Sequence, residues 1–192
     1  MGLRIRLLQL RLQRSRRKVQ AMEIHPKLLP KGDWVPNNPL LPVVVYQSAV
    51  DATGDMAGRF ETLFREHGWT GIWRNGIFDY HHYHVNAHEI LGIARGHGSV
   101  QIGGPGGISY AVKAGDCLAL PAGTGHCLVV ASDDFLVVGA YPPGQRPDIK
   151  RSNATEEDLE AIRKLPLPPA DPVTGRAEPL LTQWRSPSAD EK

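Results

Sequence analysis

The chain has 192 residues, with 22 Lys and Arg, 20 Asp and Glu, 8 His and only two Cys. This length favours one domain that buries most of its apolar surface. Two cysteines exclude a disulfide-framed miniprotein, and the absence of an 18-residue apolar run argues against a membrane-spanning helix. The composition therefore predicts a single soluble domain.

The net charge of +2 conceals a strongly basic N-terminal segment. Residues 1–21 hold seven basic residues and no acid, which leaves 15 basic and 20 acidic residues in the remainder. Three interpretations are open: a disordered extension before a natural start at Met22, a targeting peptide, or an arm that binds nucleic acid or membrane. The composition favours the extension. We therefore expect a cytoplasmic protein with no nucleic-acid partner and no membrane contact.

Residues 22–70 are predicted to form an arm, a strand and a helix. The β-branched run at residues 43–46 follows a proline-punctuated stretch and predicts the first strand. Apolar residues then recur with helical spacing from Met56, with Asp55 as the N-cap and Gly68 just past the end.

Residues 71–142 are predicted to form the core of the domain. Short apolar runs with strand character alternate with glycine-bearing turns at residues 99–102, 108–113, 117–120, 127–131 and 135–140. This spacing, with no helix between the runs, predicts an antiparallel sandwich or barrel. The glycine-rich loop at residues 103–107 lacks the helix and the Lys-Ser/Thr of a phosphate-binding loop, so no nucleotide cofactor is predicted.

Residues 143–192 are predicted to form a C-terminal arm that packs on the barrel. Thr155 caps a short helix at residues 156–164, and a proline-rich extended stretch follows. The proline-rich segments at residues 36–42 and 166–172 are candidate exchange elements, so we expect a homodimer.

The spacing of histidine, glutamate, glycine and proline is the most informative feature of the sequence. One segment reads G-x5-H-x-H-x4-E-x6-G from Gly76 to Gly96, and a second reads G-x5-P-x-G-x2-H from Gly115 to His126. These nine positions are three histidines, one glutamate, four glycines and one proline.

The polar residues of these segments form a candidate metal site. The two histidines of the first segment are two residues apart, so they share a face in extended chain. A turn at residues 85–87 would bring the glutamate to the same interior, and a turn at residues 121–125 would bring in the last histidine. The candidate ligands are His82, His84, Glu89 and His126. Three imidazoles and a carboxylate suit one divalent transition metal: Fe(II), Mn(II), Ni(II), Cu(II) or Zn(II).

These segments resemble the paired motifs of the cupin superfamily. The resemblance implies an all-β, double-stranded β-helix (jelly-roll) barrel, here with one N-terminal helix and one short C-terminal helix. It also implies that the four candidate ligands hold a metal inside that barrel. Further stretches between about residues 28 and 185, such as residues 36–39 and 73–77, resemble a subgroup of single-domain bacterial cupins.

Three neighbouring side chains are candidates for contact with a substrate. Phe78 and Tyr80 share the parity of the paired histidines, which makes Phe78 a candidate substrate-binding residue and Tyr80 a candidate catalytic phenol. The alternative for Tyr80 is an aromatic residue that only lines the barrel. Arg74 is a candidate anchor for a substrate carboxylate, with an exposed or ion-paired arginine as the alternative.

The remaining histidines and both cysteines are expected to have no part in metal binding. His81 and His88 have the opposite parity to the ligands and are predicted to face outward. His97 is predicted to lie in a turn. Cys117 and Cys127 are predicted to be free buried thiols, although a cross-strand disulfide is conceivable.

Three functions are open at this stage. The favoured one is a small-molecule enzyme, dioxygenase-like or isomerase-like, that uses one divalent metal. The second is a non-catalytic cupin that binds a small ligand or a metal, and the third is a metal-free structural or sensory barrel. The fold alone does not separate them, because one fold supports many chemistries.

Overall fold

A computed structural model describes residues 21–185 of the chain. The prediction for residues 1–21 therefore falls outside the described residues, except for Ala21, and residues 186–192 lie outside them as well. Between residues 21 and 185, no helix has the length and apolar character that crossing a membrane requires.

Residues 21–185 form nine strands and three helices. The strands are β1 (Glu23–Lys27), β2 (Val43–Gln47), β3 (Thr70–Asn75), β4 (Glu89–Arg95), β5 (His97–Ile102), β6 (Ile108–Lys113), β7 (Cys117–Leu120), β8 (His126–Ala131) and β9 (Leu136–Tyr141). The helices are α1 (Met56–Glu66), α2 (Glu156–Lys164) and α3 (Leu180–Trp184).

The strands make two antiparallel sheets that pack face to face. One sheet has the order β1-β2-β7-β4-β9-β3, and the other has the order β6-β5-β8. This arrangement confirms the predicted all-β jelly-roll class. Two elements were not predicted: β1, which is mostly exposed and shows no buried face, and α3, whose five residues are too few for a helical period to be visible.

The central strands of the six-stranded sheet are buried on both faces. Its inner face packs against the three-stranded sheet, where Leu91 and Ile93 of β4 join the barrel interior. Its outer face is covered by α1, where Phe60 packs with Ile90. Gly92 permits this close approach, because a Cβ there would lie 2.6 Å from the Phe60 ring. Burial on both faces explains why β4 reads as a nearly continuous apolar run.

The predicted ends of α1 and α2 are confirmed by their capping contacts. The Asp55 carboxylate accepts a hydrogen bond from the Gly58 N–H at the start of α1, and Gly68 follows its end with φ +80°. At the start of α2, Thr155 and Asp158 form a reciprocal capping box.

The chain after β9 returns across the opening of the barrel. Tyr83 and Lys150 exchange two backbone hydrogen bonds of 3.1 and 2.9 Å, which hold the returning segment beside the candidate ligands. Further along, the Trp184 indole N–H donates to the Pro42 carbonyl at 2.8 Å. Residues of the C-terminal arm therefore contribute directly to the surroundings of the site.

Candidate metal centre

The four candidate ligands come from three separate stretches of chain. His82 and His84 lie between β3 and β4, where the backbone joins a sheet only through isolated bridges. Glu89 is the first residue of β4, and His126 is the first residue of β8. His82 and His126 exchange backbone hydrogen bonds of 3.2 and 2.9 Å, which fix the first stretch to β8.

The structure brings these side chains together in the barrel interior. His82, His84 and His126 each offer a ring nitrogen, and the three atoms lie within 4.8 Å of one another. The Oε2 atom of Glu89 lies 3.3 Å from Nε2 of both His84 and His126. All four side chains are buried, with exposed fractions between 2% and 7%.

Each of the three imidazoles is held through Nδ1 by a backbone carbonyl. His82 Nδ1 lies 3.1 Å from the Tyr80 oxygen, His126 Nδ1 lies 3.1 Å from the Thr124 oxygen, and His84 Nδ1 is bonded to the Asp148 oxygen. Because a carbonyl can only accept, these contacts assign the proton to Nδ1 and leave the Nε2 lone pair free. Metal-ligating histidines are typically oriented by this kind of contact.

The Glu89 carboxylate provides an independent test of whether a cation fits here. Its Oε2 atom is buried and has no hydrogen-bond donor within the described chain. It faces two Nε2 atoms that carry lone pairs in the tautomers set by their carbonyl partners. A cluster of acceptors with no donor is costly to bury. A divalent cation would satisfy all four groups, so the residues present fit the predicted metal.

The pKa values at the site reflect this close packing. Burial disfavours the charged carboxylate, but the adjacent imidazoles of His84 and His126 hold the pKa of Glu89 below its usual range. Burial likewise opposes protonation of His84, yet the Glu89 carboxylate raises its pKa. For His82, burial and then the neighbouring His126 imidazole lower the pKa to about 3. His82 is therefore neutral and ready to ligate at neutral pH.

One residue of the returning segment fixes both His84 and the turn that follows it. The backbone carbonyl of Asp148 accepts from His84, while its Oδ1 atom accepts from the N–H groups of Val85 and Asn86 at 2.8 and 2.9 Å. This turn is the predicted one that brings Glu89 to the interior. The sequence analysis missed Asp148, because nothing in its local sequence pairs it with a histidine 64 positions earlier.

Two buried asparagines fix the turn that carries His126. The Asn37 Oδ1 atom accepts from the Gly125 N–H at 3.2 Å, and its Nδ2 atom donates to the Gly103 carbonyl at 3.1 Å. Asn38 Nδ2 donates to the Ala122 carbonyl at 3.0 Å. These contacts give a physical role to the asparagines of residues 36–39.

The prediction that His88 faces outward is wrong. His88 is fully buried, because α3 covers this side of the barrel and the Trp184 ring packs 4.9 Å from the imidazole. Its Nδ1 atom accepts from the Ala122 N–H at 3.0 Å, so the proton resides on Nε2. Burial lowers the pKa of His88 to about 4, which keeps the ring neutral. His88 is therefore a structural acceptor beside the site.

The other residues outside the ligand set lie as follows. His81 is partly buried, and its Nε2 atom lies 3.5 Å from Sγ of Cys127, on the opposite side of β8 from His126. His97 is exposed at the start of β5. Cys117 and Cys127 are both buried free thiols, as predicted.

A cavity of about 250 Å³ opens beside the candidate ligands. Phe78 lines it and is 44% exposed at its mouth. Tyr80 does not line it, because its ring stacks on Phe78 at 4.8 Å and carries the Arg151 guanidinium on its face at 4.1 Å. Arg74 also lies off the cavity, with its Nε atom 2.5 Å from Oε1 of Glu61. We therefore leave Arg74 and Tyr80 out of the site.

Two cavity residues escaped the sequence analysis. Tyr141, at the end of β9, and Trp73, in β3, both line the cavity. The Trp73 indole N–H donates to the Tyr141 hydroxyl oxygen at 2.8 Å. Burial and the negative charge of Glu89 raise the pKa of Tyr141, so its hydroxyl retains the proton. Gly139 could have pointed to this pair from the sequence, because a glycine inside a strand often marks the close approach of another group. Here that group is the Trp73 ring.

Comparison with known proteins places this geometry in a family. No protein-family model matches the chain. Over 164 residues it is 42% identical to the uncharacterized protein YjlB of Bacillus subtilis (strain 168), an alignment that covers 84% of the chain and 97% of the relative. The chain belongs to the YjlB family. The alignment spans nearly the whole length of this YjlB-family relative.

A solved structure shows a more distant similarity. Acireductone dioxygenase from Bacillus anthracis, with a cadmium ion in its active centre, matches with a TM-score of 0.33 and 19% identity. The match covers 48% of this YjlB-family chain and 64% of the dioxygenase, just under two thirds of its length.

Proposed function

We propose that this protein binds one divalent transition metal and acts as an enzyme on a small organic molecule, in a dioxygenase-like or isomerase-like reaction. The proposed ligands are His82, His84, Glu89 and His126. The observation that carries the proposal is the common orientation of the three buried imidazoles. Each is hydrogen-bonded through Nδ1 to a carbonyl. The Nε2 atoms of His84 and His126 lie 3.3 Å from Glu89 Oε2, which has no hydrogen-bond donor among the described residues.

The donor set favours divalent transition metals. Three nitrogens and one oxygen, with no thiolate, suit Fe(II), Mn(II), Ni(II), Cu(II) or Zn(II). When bound, such an ion supplies a Lewis acid and a coordination position for a small molecule.

The protein's own contribution is a rigid and largely apolar cavity beside the ligands. Leu91 and Ile77 form part of its buried wall, while Phe78 and Ile149 border its mouth. These side chains exclude water and accommodate an organic molecule next to the Nε2 atoms. A size near 250 Å³ is suited to a small molecule rather than a polymer.

The metal content of the full-length protein tests this proposal. The wild type is purified without added metal and compared with His84→Asn, whose amide can still donate to the Asp148 carbonyl, and with His97→Asn as a surface control. We expect about one metal ion per chain in the wild type and in His97→Asn, and little in His84→Asn. Equal, negligible metal in all three proteins would contradict the proposal.

Oxygen uptake and substrate loss then test the catalytic part. The metal-loaded protein is assayed with thiols, catechols, diketones and keto acids, with His84→Asn as the blank. Metal-dependent turnover supports an enzyme. Metal without turnover of any compound would favour the alternative function, a non-catalytic cupin that binds a small ligand or metal.

The proposal also covers the location, the oligomeric state and the regions of the chain. We propose a cytoplasmic homodimer without nucleic-acid partners, built from an N-terminal region (residues 22–70), a barrel core (71–142) and a C-terminal arm (143–192). Light scattering that gives only the 21.1 kDa of one chain would contradict the dimer.

A further inference from the structure

Apart from the four candidate ligands, the cavity has few polar side chains. Its other polar side chains are the amide of Asn75 and the hydroxyl of Tyr141, and the rest of the lining is mainly apolar. Between residues 21 and 185, no lysine or arginine lines it. The nearby Arg74 is already paired with Glu61. A ligand that enters the cavity therefore meets no side-chain cation.

The Tyr141 hydroxyl is held in place by a specific arrangement of β3 and β9. The Trp73 indole lies directly against Gly139, and a Cβ at that position would collide with the ring. This close approach places the indole N–H 2.8 Å from the Tyr141 oxygen. Glycine destabilises the interior of a strand. Its presence at position 139 is therefore consistent with a need to make room for the Trp73 indole.

The direction of this hydrogen bond determines what Tyr141 can do. An indole N–H can only donate, so the Tyr141 oxygen is the acceptor and its own proton remains available. The ring of Tyr141 packs edge-on against His84, with 6.3 Å between the centroids. The hydroxyl proton is thus directed to the part of the cavity beside the ligand cluster, where the Glu89 carboxylate and an oxygen of a bound ligand are the available acceptors.

We propose that Tyr141, oriented by Trp73, is the hydrogen-bond donor that selects the ligand of this cavity, and that this ligand is a small, mainly apolar molecule with one carbonyl-type oxygen and no anionic tail. The inference rests on the proposed function, because the oxygen it binds lies beside the proposed metal. It replaces Tyr80 with Tyr141 as the phenol that contacts the ligand.

The exclusion of an anionic tail follows from the lining. A carboxylate or phosphate at the far end of a ligand would be transferred from water to an apolar wall without a counter-ion, and that transfer is strongly unfavourable. A methyl group at the same place would instead contact apolar side chains such as Ile77 and Leu91 and gain free energy from burial.

Two matched probes and three variants test this inference by calorimetry on the zinc-loaded, full-length protein. The probes are 4-methylbenzamide and 4-carbamoylbenzoate, which share the carbonyl and differ in the group at the far end. We expect 4-methylbenzamide to bind the wild type at least tenfold more tightly than 4-carbamoylbenzoate. Tyr141→Phe should weaken its binding about fivefold to tenfold, the usual effect of one lost hydrogen bond, and Trp73→Phe should weaken it less.

Tyr80→Phe is the matched control and should bind 4-methylbenzamide within about twofold of the wild type. No binding of 4-methylbenzamide, equal effects of Tyr141→Phe and Tyr80→Phe, or tighter binding of 4-carbamoylbenzoate would each overturn the inference. Zinc content and thermal unfolding of every variant are measured in parallel. A wild type that binds 4-methylbenzamide through Tyr141 but holds no zinc would contradict the proposed function instead.

Discussion

Two regions of the molecule use buried histidine in opposite ways. In the ligand cluster, His82, His84 and His126 donate from Nδ1 to carbonyls and direct Nε2 at a common point. Beneath α3, His88 accepts a backbone N–H at Nδ1 and packs its ring on Trp184. All four rings are buried and lie close in space. The partner of Nδ1, rather than burial or sequence proximity, therefore distinguishes a candidate metal ligand from a structural histidine.

The two regions are also connected through one turn. Residues 121–125 donate hydrogen bonds to Asn37 and His88 and accept one from Asn38, and they lead directly into His126. His88 thus supports the backbone of the site without facing it. Asparagine retains a polar group near the position of Nδ1 but has no atom at the position of Nε2. We therefore expect a histidine-to-asparagine substitution to weaken metal binding at His84 and to be partly tolerated at His88.

The largest expected effect is the loss of metal affinity in His84→Asn. The variant retains a donor for the Asp148 carbonyl but has no atom at the position of Nε2, so one of four ligands is missing. We expect zinc affinity to fall at least 100-fold, measured by competition with a chromophoric chelator. A change smaller than threefold would show that His84 is not a ligand.

The second effect concerns stability rather than metal binding. His88→Leu leaves the buried Ala122 N–H without an acceptor, so we expect a loss of about 2–3 kcal/mol in the free energy of unfolding. His88→Asn retains an acceptor near Nδ1 and should cost about half as much. Denaturant titration gives the stability, and zinc affinity in both variants should stay within about threefold of the wild type.

A smaller effect on affinity is expected when the support of the 121–125 turn is removed. Asn37 has φ +50°, which glycine adopts without strain, so Asn37→Gly deletes the side chain and spares the backbone. We expect about tenfold weaker zinc binding, as is typical when a group that orients a ligand is lost. Ser48→Gly, at φ +55° on the far side of β2, is the control and should leave zinc affinity unchanged.

The smallest effect is expected far from both histidine regions, at the start of α2. The hydrogen bond from the Thr155 N–H makes the largest contribution to lowering the pKa of Asp158, and the contact with Lys150 lowers it further. Its stabilisation is therefore present above the ordinary value of 3.8 and is lost as the pH falls below it. We expect Asp158→Asn to cost at most about 1 kcal/mol at neutral pH. Urea titrations at neutral pH and near pH 3 should show that difference shrinking in acid, and a constant difference would contradict this explanation.

The sequence was sufficient for the fold class and for the convergence of the four candidate ligands, because both depend on local spacing. Alternating apolar runs specify strands, and Pro121, Gly123 and Gly125 specify the turn that leads into His126. Asp148, Tyr141 and Trp73 could not be found this way. Their roles depend on which distant segment packs beside them, and neither strand period nor composition records that.

The failure at His88 has the same physical origin. Parity correctly placed it on the face opposite Glu89, but that face is not exposed, because α3 and Trp184 cover it. Five residues of helix at the end of the described chain left no period in the sequence. A covering element of that size is specified by tertiary packing rather than by local propensity.

A cobalt titration followed by visible absorption tests directly whether the four candidate ligands form one metal centre. Full-length wild type and His126→Ala, both freed of metal, are titrated with Co(II). We expect d–d bands in the wild type that saturate at one equivalent per chain, and no saturable bands in His126→Ala, whose fold is checked by circular dichroism. The same bands and stoichiometry in both folded proteins would contradict a metal centre built from His82, His84, Glu89 and His126.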